Sequence, residues 1–178
     1  MSEINQQGSN PLQKYFRQPK LYITLPSNGK FYPIGAYENS ESGELPVFSM
    51  TARDELTFKT PDALLNGQAT VDVIQSCIPN IKNAWLMPSI DLDACLIAIR
   101  MATYGETMSI TVKQPVTGEE LEMNVDLRGV MDSFAQAQYQ DTVQVGEMTV
   151  TLRPLTYKEF TKNALKTFEE QRIFNVVN

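Results

Sequence analysis

Between Ile90 and Gly105 the chain reads IDLDACLIAIRMATYG, and from Leu92 to Ala102 almost no polar face appears at helical spacing. A helix that is apolar around most of its circumference has to be covered on most sides. Leu92, Ala94, Cys95, Leu96, Ile97, Ala98, Ile99, Met101 and Ala102 therefore mark a central core helix. Asp91 or Ser89 is placed to cap its start, Gly105 ends it, and Arg100 is long enough to snorkel or meet a carboxylate. The longest strongly apolar run, Ala94 to Ile99, falls far short of the roughly 20 residues that span a bilayer. The rest of the chain must supply the layers around this helix.

Upstream, the polar stretch from Met1 to about Gln18 reads as a flexible arm without the apolar core of a signal peptide. LYITLP (Leu21 to Pro26) has strand chemistry. Asn28-Gly29 after it tolerates positive φ, which predicts a tight hairpin returning through Phe31 and Tyr32 until Pro33 interrupts. Gly35 to Gly43 reads as an exposed acidic loop, with Glu38, Glu41 and Glu44 solvated, and Glu44 to Met50 restores a strand pattern. Thr51 then caps a helix with Asp54 and Glu55 in its first turn, ending near Lys59. Thr60-Pro61 opens a second helix, which Asn66-Gly67 closes. Ala69 to Cys77 predicts a third, with Val71, Ile74 and Ile78 at helical spacing and Pro79 as its stop. A loop carrying Trp85 precedes the Met87-Pro88 stop.

Downstream the period changes to two. Met108, Ile110 and Val112 alternate with polar residues, as do Leu121, Met123, Val125 and Leu127, around a turn from Gln114 to Glu120. This predicts a hairpin with one apolar face. Arg128 to Gln138 suggests a helix carrying Val130, Met131 and Phe134, followed by a second hairpin, Thr142 to Val145 and Met148 to Leu152, joined at Gly146-Glu147. Thr156 and Glu159 form a capping-box pattern before a last helix from Tyr157, with Phe160, Leu165 and Phe168 as its stripe. The resulting expectation is an α+β fold: a small helical core with β-hairpins, an N-terminal β-ribbon and a C-terminal helix. Its divisions are an arm at 1–18, a core domain at 19–153 and a helix at 154–178.

Reactive equipment is sparse. The chain has no histidine, which removes the commonest general base and zinc ligand. Cys77 and Cys95 sit in apolar helical contexts and read as buried structural thiols without metal-ligand spacing. Asn28-Gly29-Lys30 lacks the other residues of a phosphate loop, and Ser76 lacks both a base and a nucleophile elbow. Asp54, Glu55, Asp62 and Asp91 lie at helix starts, where capping and the helix dipole account for them. A carboxylate hydrolase would need Asp54, Asp62, Asp91 and Asp93 gathered in one pocket. We therefore expect no enzyme activity, no cofactor and no metal. The net charge of −6 and the absence of a Lys/Arg cluster argue against nucleic acid as a partner. Aromatics carry the expectation of an interface instead: Tyr15, Phe16, Tyr22, Phe31, Tyr32, Phe58, Trp85, Phe168 and Phe174. RIFNVVN at the C-terminus is apolar for a free end and reads either as a docking segment or as the sign of a chain shortened from a longer protein.

In order along the chain, YITLPSNGKFY, ELPVFSMTARDELTFKTPDALLNG, VIQSCIPNIK and MPSIDLDACLIAIRMATYG resemble a baseplate hub protein family of T-even-type contractile-tailed bacteriophages. The resemblance covers about Leu21 to Leu127. It implies a hub subunit or hub assembly protein that binds other tail or baseplate hub proteins, the tape-measure protein among them. The setting it implies is the host cytoplasm during assembly and the virion tail baseplate. Some relatives carry a Cys-Pro-x-Cys knuckle where this chain has Gln114-Pro115-Val116-Thr117. No zinc carries over, and hairpin pairing alone must hold that turn. A regulatory module binding a host protein or nucleic acid is the alternative reading.

Overall fold

A computed structural model describes residues 17–61, 66–115, 117–136 and 139–177, with side chains as far as Arg172. The architecture is α+β, with three separate two-stranded antiparallel sheets and a C-terminal helix. Strand β1 (Leu21–Ile23) pairs with β2 (Leu45–Val47), Tyr22 lying opposite Pro46. The inward side chains Ile23, Leu45 and Val47 are buried. This corrects the expected hairpin through Phe31 and Tyr32. Asn28 and Gly29 do take positive φ (52° and 74°), but so does Phe31 at 70°, and the chain coils into turns where a strand was expected. The loop after it is latched at its far end, where Tyr37 bridges Ile81 and Glu38 pairs with Lys82 at 2.7 Å.

Helix α1 (Ala52–Phe58) starts as expected. Thr51 Oγ1 accepts the Asp54 N–H at 3.3 Å, and Asp54 Oδ2 accepts the Thr51 N–H at 2.8 Å. Two orphan donors are thereby satisfied reciprocally. Pro61 is described, whereas residues 62–65 of the next expected helix lie outside the described residues. Gly67, left-handed at φ 81°, precedes α2 (Gln68–Cys77). Two 3-10 turns, Ala84–Leu86 and Ser89–Asp91, lead into α3 (Leu92–Tyr104), the expected core helix, which ends at Gly105. Ala94, Cys95, Ala98 and Ile99 of α3 are buried against a cluster that includes Val73, Ile74, Ile78, Ile81 and Met87. Each fully buried aliphatic chain in that cluster contributes roughly 1.5–3 kcal/mol.

Beyond α3 the chain runs out into a ribbon and comes back to the core at Leu127 and Met131. The Glu106 carbonyl accepts the Leu127 N–H at 2.8 Å, closing the base of a ribbon of β3 (Thr107–Lys113) and β4 (Glu120–Asp126). Helix α4 (Leu127–Gln136) begins one residue before its expected start, because Leu127 is buried and ends the alternating pattern. A second ribbon, β5 (Thr142–Val145) with β6 (Met148–Thr151), follows. The chain then returns: Leu155 O accepts the Ser89 N–H at 2.8 Å, and Met87 O accepts the Tyr157 N–H at 2.7 Å. Helix α5 (Tyr157–Val177) starts from that anchor.

Candidate interaction surface

The core is stitched by two buried carboxylates, Asp54 and Asp91. Asp91 was expected as a helix cap, but it makes no side-chain cap. It is 0% exposed and instead holds the 26–32 turns. Its Oδ1 accepts the Ser27 N–H at 2.8 Å, and its Oδ2 accepts the hydroxyls of Ser27 at 2.6 Å and Tyr32 at 2.9 Å. This capture explains why Phe31 and Tyr32 do not return as a strand. Burial pushes the Asp91 carboxyl up, against the opposing pull of the Ser27 and Tyr32 hydrogen bonds. Burial, and then the Asp91 charge, pushes the Tyr32 phenol well up, so it remains a donor at neutral pH. Asp54 Oδ2 accepts the Ser76 hydroxyl at 3.1 Å and lies 3.7 Å from the Arg17 guanidinium. Arg17, read as part of the arm, also donates to Ser76 O at 2.8 Å and to Ser49 O, and stands 5.4 Å from the Phe48 ring centroid.

Asp54 and Asp91 thus hold different partners, Asp93 is exposed, and Asp62 lies outside the described residues. Among the described residues, no group of three or more His, Cys, Asp or Glu comes together as a metal site. No helix among them is long and apolar enough to cross a membrane. Both cysteines are free and buried, and burial pushes both thiols up.

The nominated aromatics divide by location. Tyr32 stacks on Tyr37 at 4.7 Å, Phe58 packs on the core, and Trp85 stacks on Tyr157 at 5.5 Å. Phe31 meets Tyr139 edge-on at 5.4 Å, on the wall of an open groove of about 380 Å³. Tyr22 and Phe168 stand in solvent. Tyr15, Phe16 and the side chain of Phe174 lie outside the described residues.

The open apolar surface lies on the outlying elements, at residues the aromatic criterion passed over. On β3–β4 the register places Met108 opposite Val125, Ile110 opposite Met123 and Val112 opposite Leu121. Side chains alternate faces along a strand, so these six share one face, and Ser109, Thr111, Lys113 and Glu122 line the other. Met123 is 53% exposed and Leu121 49%. On β5–β6, Val143 faces Val150 and Val145 faces Met148, all four of them exposed. In α5 the stripe Tyr157, Phe160, Thr161, Ala164, Leu165 and Phe168 follows helical spacing. Among its described side chains, only the first turn is docked. A Cβ on Gly67 would come within 3.0 Å of the Tyr157 hydroxyl, 3.1 Å of Trp85 and 3.3 Å of Thr161. From Lys162 to Arg172 every residue is exposed. Alternation along β3–β4 was the signal for this surface, since it marks an apolar face without saying what covers it.

Comparison with curated proteins and with solved structures gives no match. The family described as T4 bacteriophage base plate protein matches residues 18–177, which takes in the core, both ribbons and the C-terminal helix. The chain belongs to the T4 bacteriophage base plate protein family.

Proposed function

We propose that the chain is a non-enzymatic, protein-binding component of the phage baseplate hub, working in tail assembly as a structural subunit or an assembly chaperone. One observation carries the reading: large apolar side chains lie open on two ribbons and a helix that leave a well-packed core. An isolated two-stranded ribbon is marginal in water and gains stability when its apolar face is covered. Partners are other tail or baseplate hub proteins, including the tape-measure protein, met in the host cytoplasm during assembly. As a subunit, the chain would stay in the tail.

Co-expression with hub and tape-measure proteins, followed by pull-down, tests the reading. A stable complex is expected, and Met148→Lys on the β5–β6 face should weaken it. If no complex forms and a deletion phage builds normal hubs, the reading is refuted. Mass spectrometry of purified virions separates the two roles: presence marks a subunit, and absence with a defective hub marks a chaperone.

A further inference from the structure

We infer that Arg17 is a strap on the fold: its guanidinium fills a site that joins the start of α1 to the end of α2, and releasing it loosens both. Arg17 Nη1 donates to Ser76 O at 2.8 Å and to Ser76 Oγ at 3.3 Å. Its Nη2 donates to Ser49 O, stands 3.4 Å from Cys77 Sγ and lies 3.7 Å from Asp54 Oδ2. The cation is 5.4 Å from the Phe48 ring centroid, within cation–π reach. Phe48 and Ser49 follow β2, Asp54 stands in the first turn of α1, and Ser76 and Cys77 are the last residues of α2. Three separate segments of the chain thus meet on one side chain.

The placement suits both helix ends. The last carbonyls of an α-helix lack partners within it, and a cation is favoured there, as a carboxylate is at a helix start. Arg17 takes the Ser76 carbonyl at the end of α2, and Asp54 is the third residue of α1. Their attraction therefore links the negative end of one helix to the positive end of the other. Asp54 Oδ2 is the shared acceptor, taking the Thr51 N–H at 2.8 Å, the Thr51 hydroxyl at 2.8 Å and the Ser76 hydroxyl at 3.1 Å. The oxygen that closes the α1 capping box is thus the one that faces Arg17. Without the guanidinium, the Asp54 side chain, only 10% exposed, loses its cation, and the Ser49 and Ser76 carbonyls lose their donor. Lysine is no substitute, because a point charge cannot fork between two carbonyls. Whatever draws the chain ahead of Arg17 away must empty this site, and it loosens both helix ends in doing so. The strap does not depend on which baseplate protein the chain binds.

The test uses the full chain, with amide hydrogen exchange read residue by residue by NMR. Thr51, Asp54 and Glu55 report on the start of α1, and Phe48 and Ile78 on the end of α2, through the bonds their amides make there. In Arg17→Ala these amides should exchange about fivefold faster, the low end for coupled sites because Arg17 is 32% exposed and partly screened. In a Thr51→Ala background the same substitution should have about half that effect or less, since the two residues share one oxygen. Chemical rescue separates an emptied site from a weakened fold. Guanidinium chloride at about 10–50 mM should refill the site in Arg17→Ala and slow these amides again. Methylammonium, with the same charge and no fork, should not. Unchanged rates at α1 in Arg17→Ala overturn the inference. So does guanidinium that speeds exchange in the variant as it does in the wild type, or methylammonium that restores it equally.

Discussion

Replacing Asp91 by alanine removes the acceptor of three donors at once. In the native protein this fully buried carboxylate takes the Ser27 N–H at 2.8 Å, the Ser27 hydroxyl at 2.6 Å and the Tyr32 hydroxyl at 2.9 Å. Each donor left without a partner costs about 1 kcal/mol or more, so Asp91→Ala should lose about 3 kcal/mol. For a chain of this length that is roughly 6–12 °C in Tm. Asp91→Asn keeps the shape and one acceptor oxygen, and the two hydroxyls can turn to accept from its amide. Its loss should stay under about 1.5 kcal/mol. Acidity then separates the charge from the geometry. Burial raises the folded-state pKa of Asp91. Its contribution is therefore complete below the unfolded value of about 3.9 and is lost as pH rises through the folded one. Urea denaturation followed by circular dichroism at pH 7 and about pH 4, close to the unfolded value, should show the wild type gaining on Asp91→Asn as pH falls. An alanine variant within about 0.5 kcal/mol of wild type refutes the clamp. So does a wild type that loses ground to Asp91→Asn on acidification.

Other perturbations address the remaining joints. Thr51→Ala breaks the capping box at α1 and should cost about 1 kcal/mol by the same denaturation assay. Gly67→Ala meets both a left-handed backbone and the Tyr157–Trp85 stack. It should cost about 1–2 kcal/mol and shift the emission of Trp85, whose unchanged spectrum would place the start of α5 elsewhere. Because Cys77 and Cys95 are buried with their thiols pushed up, neither should react with an aromatic disulfide reagent in the native protein. Two equivalents should react after denaturation, and fast native labelling would contradict the packing.

What could be read in the sequence was what short-range chemistry decides. The apolar circumference of α3 and the Thr51–Asp54 and Thr156–Glu159 boxes sit within a few residues of their causes, and all appear where expected. Asn28-Gly29 shows the limit. Its local preference for positive φ is met, yet the hairpin it signals does not form, because a carboxylate 64 positions from Ser27 takes the donors of the turn. The strand expected at Phe31 loses to a buried hydrogen-bond demand that no local window contains. Alternation likewise fixed the faces of β3–β4 but is silent on what lies against them. The aromatics were the least separable, since Trp85 and Tyr32 serve packing while Phe168 stands in solvent, and their flanking residues do not distinguish the two uses.

Among its described side chains α5 is anchored in its first turn, and that has a mechanical consequence. At 1.5 Å per residue, its 21 residues make a rod about 32 Å long, held at its start by the Trp85–Tyr157 stack and by the Tyr157 N–H on Met87 O. A tilt of about 10° there sweeps the far end through about 5 Å, close to one helical turn. A sub-ångström adjustment between Trp85 and Tyr157 is thus magnified several-fold at the tip. The core can keep its packing while the rod is aimed, so the angular tolerance of whatever the rod meets is set at a glycine about 90 residues before Tyr157 in the chain.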